Sequence, residues 1–299
     1  MAYIFNTLSY REDISSWALT NGEAVVQIAD ELTRAGVDES RLEAEILLAN
    51  VIHRNRAQVL AEWQQPISSE QFTDLKRLAS RRIVREPLSY ITGFREFYGL
   101  SFSVQTGVLI PRPETETLVE EVIRLVHMTY NGEPTIVDIG CGSGAIAIAL
   151  AVNLPKARIY AIDNESIPLA VAVENSRRHR VEERITFLRG DLMAPLTDFV
   201  DILVANLPYI SSGEFDGIQP EILWEPRNAL DGGPDGLEVI RKVMDQIPGK
   251  IRNGGVVLLE CDPRQSKKIV QEWKNRFPDT SVNIIQDLAS LDRVVQLFF

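Results

Sequence analysis

Two stretches carry residue types suited to chemistry. The first is Val204-Ala205-Asn206-Leu207-Pro208-Tyr209-Ile210. An apolar run from Ile202 to Ala205 stops at a polar amide, and a proline and an aromatic ring follow at once. Such a run reads as a buried strand, which the proline cannot continue. Asn206 and Tyr209 are therefore expected at the C-terminal end of a strand, the edge at which open α/β sheets bind ligands.

The second stretch is Asp138-Ile139-Gly140-Cys141-Gly142-Ser143-Gly144, set between a strand reading over 135–139 and a helix reading over 145–152. Glycines there let the backbone approach a ligand and take positive φ. The spacing is Gly-x-Gly-x-Gly, shorter than the dinucleotide fingerprint, and no Gly-Lys-Ser/Thr marks a nucleoside-triphosphate loop. Asp163 ends the next strand 19 positions after Gly144, where a carboxylate can accept from both ribose hydroxyls. Together these features fit S-adenosylmethionine, whose charge is a sulfonium and not a pyrophosphate. Asp138 either polarises the loop or meets the ligand's ammonium end, or else simply caps the loop. Asp191 and Leu192, after the following strand, are placed to meet the adenine or simply to make a turn. The candidate cofactor set is thus Asp138, Gly140, Cys141, Gly142, Ser143, Gly144, Asp163, Asp191, Leu192 and Asn206.

The elements that must position these residues follow from periodicity. Residues 1–22 have weak periodicity and read as a loose arm. From Gly22 to Arg85 the pattern is helical: Ile28, Leu32 and Ala35 with Gly36 as a stop, then Ala44, Leu47, Leu48 and Val51. Ser68 or Ser69 caps a helix carrying Phe72, Leu75 and Leu78. Lys76, Arg77, Arg81, Arg82 and Arg85 make one basic face on it, for which an ordinary solvated surface is the favoured reading. Two short strand runs around Gly99 predict a hairpin. Beyond Pro111 and Pro113 come a helix over Leu118–Val126 and then strands alternating with helices, which predicts a doubly wound, mostly parallel sheet. The last two strands, near 282–285 and 293–298, have no helix between them and are expected to be antiparallel. The fold class is α/β, a Rossmann-like sheet behind a small all-helical domain. The expected boundaries are 1–90 for the helical domain, 91–110 for a hairpin linker and 111–299 for the catalytic domain.

Composition narrows the function. The chain has 299 residues, 45% hydrophobic and 24% charged, with a net charge of −11. That balance argues against broad nucleic-acid binding, which needs clustered Lys and Arg. It suits a basic protein partner or plain solubility. Residues 1–92 hold ten basic and thirteen acidic side chains, so the helical part shares the acidic balance. No run approaches a membrane span, no signal pattern opens the chain, and two cysteines, Cys141 and Cys261, give neither a disulfide framework nor a zinc spacing. A cytoplasmic, cofactor-using monomer without metal, membrane or specific nucleic-acid partner is expected.

With these motifs in place, the chain resembles the HemK/PrmC family of release-factor glutamine N5-methyltransferases. Asn206-Leu-Pro-Tyr209 looks like a variant of the Asn-Pro-Pro-Tyr motif of methyltransferases that act on amines and amides. The resemblance rests further on Glu86-Pro87-Leu88-x-Tyr90-Ile91-x-Gly93, Glu96-Phe97-Tyr98-Gly99-Leu100, Ile110-Pro111-Arg112-Pro113-Glu114-Thr115-Glu116, the glycine loop, Glu225-Pro226-x-x-Ala229-Leu230-x-Gly232-Gly233-x-Asp235-Gly236-Leu237 and Glu260-x-x-x-x-Gln265. It implies a helical domain that helps hold a class I peptide chain release factor, and a catalytic domain that methylates the glutamine of that factor's Gly-Gly-Gln loop. It also implies roles for Asn206, Leu207, Pro208 and Tyr209. The Asn206 side-chain oxygen and the carbonyl of residue 207 accept the two amide N–H bonds, and Tyr209 packs on the amide plane. Two departures stand out: Leu207 replaces the first proline of the motif, and Asp262 replaces a glycine two positions after Glu260. Leucine keeps the carbonyl but loses the fixed φ, so reduced but not absent activity is expected. The competing readings are a nucleic-acid adenine or cytosine amino-methyltransferase and a noncatalytic S-adenosylmethionine-binding assembly factor.

Overall fold

The computed structural model describes residues 19–130 and 133–299. The arm read over residues 1–22 therefore falls outside the described residues as far as 18. The chain divides after Thr92 into two compact units.

The first unit is helical because its capping and apolar spacing agree. Thr20 and Glu23 form a reciprocal capping box at the start of α1 (Asn21–Arg34), Asn55 and Gln58 do so for α3 (Arg56–Ala61), and Ser68 and Gln71 for α4 (Ser69–Ile83). With α2 (Ser40–Val51) and α5 (Leu88–Thr92) these helices bury a core built on Val25, Ile28, Leu32, Leu47, Leu48 and Leu75. The single basic face expected on α4 does not form. Arg82 is only 5% exposed and pairs with Glu43 of α2 at 2.5 Å, while Arg81 pairs with Glu86 at 2.5 Å. Arg77 reaches Asp74, and Lys76 lies over the Phe72 ring. A guanidinium forced inward by the helical period is tolerated when a carboxylate meets it, and that pairing is not visible in spacing alone.

The second unit opens with an antiparallel hairpin, β1 (Phe94–Phe97) and β2 (Leu100–Ser103). After α6 (Glu116–Thr129) come β3 (Thr135–Ile139), α7 (Ala145–Asn153), β4 (Arg158–Asp163), α8 (Ser166–Arg178), β5 (Ile185–Arg189) and β6 (Val200–Ala205). Then α9 (Glu238–Gln246), β7 (Ile251–Glu260), α10 (Ser266–Arg276), β8 (Ser281–Gln286) and β9 (Asp292–Phe298) complete it. Seven strands form one sheet in the order β5-β4-β3-β6-β7-β9-β8, parallel except that β9 is antiparallel to both of its neighbours. β3 and β6 are buried over nearly their whole lengths, which is why both read as unbroken apolar runs. The structure extends β7 five residues upstream of its expected start at Val256. Arg252, Asn253 and Gly254 are exposed and turn-like in type, yet they enter the strand through a register shift opposite β6. Among the described residues no helix is long and apolar enough to cross a membrane.

One buried amide joins the hairpin to the ligand-side loop. Asn175 on α8 accepts from Ser103 N at 2.8 Å and donates to the carbonyls of Ser103 and Ser143 at 3.1 and 2.9 Å. Replacing Asn175 by Ala strands these backbone groups without partners, and the expected destabilisation is about 2–3 kcal/mol in urea unfolding. A loss below about 0.5 kcal/mol, the size of an ordinary surface change, would show that the staple carries no weight.

Candidate active site

The site is a row of strand ends. The register sets Ile162 of β4 beside Ile139 of β3, Ile139 beside Ala205 of β6, and Ala205 beside Leu259 of β7. The next residues along are Asp163, Gly140, Asn206 and Glu260. The strand order reverses about β3, which runs first to β4 and β5 and then back to β6, so the crevice lies where doubly wound sheets place their ligands.

A cavity of about 230 Å³ opens over this row. Gly140, Gly142, Asp163, Asp191, Leu192 and Asn206 line it together with Leu207 and Pro208. The other candidates build the wall from behind. Gly140 N and Cys141 N both donate to Ile162 O, at 2.8 and 3.0 Å, and Gly144 N closes the turn on Cys141 O at 2.8 Å. Ser143 offers its carbonyl to Asn175. Gly144 has φ +80° and precedes α7 directly, and a Cβ there would stand 3.0 Å from Ala172 Cβ and from Ile148. Only glycine meets both demands without strain.

Two carboxylates stand behind the loop. Asp163 accepts from Gly142 N at 2.9 Å and from Glu165 N at 3.0 Å, so it shapes the loop while its remaining lone pairs face the cavity rim. Asp138 is fully buried. One oxygen accepts from Ala147 N at 3.1 Å in the first turn of α7, and the other has no partner. Burial pushes the Asp138 carboxyl up to about 7, the Ala147 N–H pulls it back, and Asp163 pushes it further up. The capping role is thus present, and a second acceptor is left over. Two acidic groups behind a glycine loop raise the affinity for a cation and oppose a pyrophosphate, so these residues fit S-adenosylmethionine.

A second cavity, of about 100 Å³, lies on the far side of the same loop. Asn206 and Leu207 line both cavities, and Tyr209, Arg112, Ile222 and Leu230 line only the second. The Asn206 Nδ2 donates to Thr115 Oγ1 at 2.9 Å, which leaves Oδ1 as the free acceptor. Tyr209 O accepts from Gln265 Nε2 at 2.9 Å. Ile210 N donates to Leu230 O at 3.0 Å, and Gly232 N returns a bond to Ile210 O at 2.8 Å. Gly236, with φ +72°, packs so closely that a Cβ would stand 2.2 Å from Tyr209 O. Burial, and next the nearby Glu260, push the Tyr209 phenol above its ordinary value, so it is neutral. Leu207, at 3% exposure, sinks its side chain into the core on the β3 face.

Spacing alone did not find several contributors. Leu109 lines both cavities, and Thr115 orients Asn206 across 91 positions of chain. Asn228 Nδ2 bonds Glu165 Oε1 at 3.1 Å across the rim of the first cavity. Glu225 accepts from Ile110 N at 2.9 Å and holds the Arg112 guanidinium, joining two of the motifs quoted above. At the Asp262 departure, the carboxylate accepts from Arg264 N at 2.8 Å and so makes the turn through its side chain.

Residues 23–93 match the family described as PrmC N-terminal domain, and residues 121–245 match the methyltransferase small domain. The chain is similar to a release factor glutamine methyltransferase of Moorella thermoacetica, at 37% identity over 92% of this chain and 97% of the relative. It is also similar to the human MTRF1L release factor glutamine methyltransferase, at 34% identity over 84% and 78%. Among solved structures, the catalytic domain of hMettl16 in complex with an RNA hairpin shares the fold, with a TM-score of 0.55 at 17% identity over 73% of this chain and 80% of that one.

The Asp138 environment sets a pH dependence in the absence of ligand. A carboxyl raised from 3.8 to about 7 by folding binds its proton more tightly in the native state. Its contribution to stability is therefore present at low pH and lost as pH rises from about 4 through about 7. Asp138→Asn, which keeps an acceptor for Ala147 N, should flatten that fall in melting temperature between about pH 4 and 8. An unaltered pH slope would mean that Asp138 is not the group responsible.

Proposed function

Since the chain belongs to the release factor glutamine methyltransferase family, we propose that it transfers the methyl group of S-adenosylmethionine to the side-chain amide nitrogen, N5, of the glutamine in the Gly-Gly-Gln loop of a class I peptide chain release factor. The observation that carries this reading is the pair of cavities meeting at Asn206 and Leu207, with the Asn206 NH2 already engaged and its oxygen free.

A primary amide nitrogen is a weak nucleophile because its lone pair is delocalised into the carbonyl. The chain must therefore hold that nitrogen in line with the methyl–sulfur bond. Asn206 Oδ1 and the Leu207 carbonyl accept the two N–H groups from the second cavity and aim the nitrogen at the first. Orientation of this kind can supply several kcal/mol of a bimolecular barrier. The same two carbonyl dipoles stabilise positive charge developing on nitrogen as the bond forms. Tyr209 packs on the amide plane. S-adenosylmethionine supplies an electrophilic methyl group on a positively charged sulfur. No carboxylate base is needed, because an N-methylated, protonated amide is strongly acidic and sheds its proton readily.

The helical unit is the part assigned to hold the release factor, over residues 1–90. The enzyme acts as a cytoplasmic monomer, with neither membrane nor specific nucleic acid as a partner. The net charge of −11 supports a basic protein surface over a phosphate backbone.

Mass spectrometry of a purified class I release factor incubated with enzyme and S-adenosylmethionine should show a single added methyl on the Gly-Gly-Gln glutamine, and DNA should remain unmodified. Asn206→Ala should lower kcat by about 100-fold. Methylated DNA with an unmodified factor, or cofactor binding without transfer to any release factor, overturns the proposal. Leu207→Pro should leave cofactor affinity unchanged and raise turnover by fixing φ. Unchanged or lower turnover would mean that burial of Leu207 already holds the loop.

A further inference from the structure

We infer that Glu260, acting through the Thr115 hydroxyl, is a positioning residue that fixes which way the Asn206 amide faces.

Glu260 ends β7, next to the strand that carries Asn206, and is 1% exposed. Neither of its oxygens has a hydrogen-bond partner of good geometry. Buried acceptors are almost always satisfied, so a carboxyl with two orphan oxygens calls for a reason. The charged and titratable groups around it come from three directions. Glu114 and Arg112 lie on the segment before α6, Tyr209 on the loop after β6, and Arg293 on β9. Both cations are committed elsewhere, Arg112 to Glu225 and Arg293 to Asp287 at 3.1 Å. The Tyr209 phenol and the Cys261 thiol also lie near it, and the hydroxyl that acts on it most strongly is that of Thr115, itself buried.

Thr115 has the complementary deficit. Its oxygen accepts from Asn206 Nδ2 at 2.9 Å, and its own proton has no acceptor among the bonds of the described residues. A hydroxyl carries one donor beside its lone pairs. When that proton points to Glu260, the lone pairs face Asn206, the Asn206 NH2 is held, and Oδ1 is turned to the substrate side. Asparagine is nearly symmetric in shape about its amide, so packing alone does not choose between oxygen and nitrogen. The chain Glu260, Thr115, Asn206 makes that choice.

The ionised carboxylate is the form that accepts the Thr115 proton. Burial pushes Glu260 up to about 7, and among the groups that pull it back the Thr115 hydroxyl comes first, ahead of Arg293 and Arg112. Once protonated, Glu260 is a weaker acceptor for the Thr115 proton, and the hydroxyl is free to rotate so that its lone pairs are no longer held toward Asn206. The amide is then free to turn, and turnover falls as pH drops through about 7.

The kinetic arm of the test rests on the methyl-transfer reading above, and the spectroscopic arm does not. Thr115→Val, isosteric but without a hydroxyl, should lower kcat about tenfold, as expected for one lost hydrogen bond to a buried polar group. KM for the release factor and affinity for S-adenosylmethionine should stay unchanged. Thr115→Ser should restore most of the rate. Glu260→Gln should remove the rise of kcat with pH near 7. In nitrogen-15 spectra of the ligand-free protein, the side-chain amide signals of Asn206 should move with pH around 7 in the wild type and stay still in Glu260→Gln. Wild-type kcat in Thr115→Val, equal impairment in Thr115→Ser, or Asn206 signals that titrate alike in both proteins would each overturn the inference. If the Asn206 signals behave as stated and no release factor is methylated, the methyl-transfer reading falls and the positioning role stands.

Discussion

A strand that stops in the middle of a parallel sheet leaves backbone polar groups with no ladder partner, and those groups must be satisfied or solvated. β6 stops at Ala205 with neighbours on both sides. The structure meets this demand piece by piece. The second-half motif wraps back so that Leu230 O and Gly232 N bracket Ile210, Gln265 reaches across to Tyr209 O, and Gly236 lets the chain pass within van der Waals limits of that carbonyl. The carbonyl in the middle of the loop, that of Leu207, accepts none of these bonds, while its neighbours are held. A free acceptor on a rigid frame has little to lose on binding, which is the physical content of preorganisation.

The same edge concentrates buried acid. Asp138, Asp163 and Glu260 sit at or next to the ends of three strands in one sheet, and burial pushes each upward. Raised carboxyls cost stability at neutral pH, and buried carboxyls with shifts of this direction cluster at functional sites. Their work divides by position. Asp163 lines the cavity suited to a cation, and Asp138 is buried behind the glycine loop. The third stands on the other side of Asn206, where its partner is a hydroxyl.

Much of this was legible in the chain itself. The strands β3 and β6 are buried over nearly their whole lengths and announce themselves as apolar runs, and Pro208 marks the end of β6, as Ser68 marks the start of α4 and Gly36 the end of α1. The glycine loop and Asp163 could be placed because their function is set by spacing within one strand–loop–helix unit. What could not be read are the contacts that join distant segments. Thr115 to Asn206, Glu225 to Ile110 and Gln265 to Tyr209 each bridge 56 or more positions. No period or spacing rule relates such residues. The motif residues were visible as a set, but their common task, supporting one loop, appears only when the sheet is closed. Arg82 failed as a surface cation for a related reason: its partner Glu43 lies 39 positions away.

Leu207 shows how one requirement admits two solutions. Proline would order the loop by removing φ freedom before folding, at no packing cost. Leucine orders it after folding by burying an isobutyl group against the core, where its Cδ2 lies 3.5 Å from the position a Cβ on Gly140 would take. Burial of a leucine side chain is worth roughly 1.5–3 kcal/mol, comparable to the backbone entropy that one fixed residue gives up. The two routes differ in what they couple. A ring stiffens the loop alone, whereas a buried side chain ties the loop to the glycine turn that borders the other cavity. In this chain the Leu207 side chain therefore packs the loop against the glycine turn, a contact that a proline ring would make with fewer atoms.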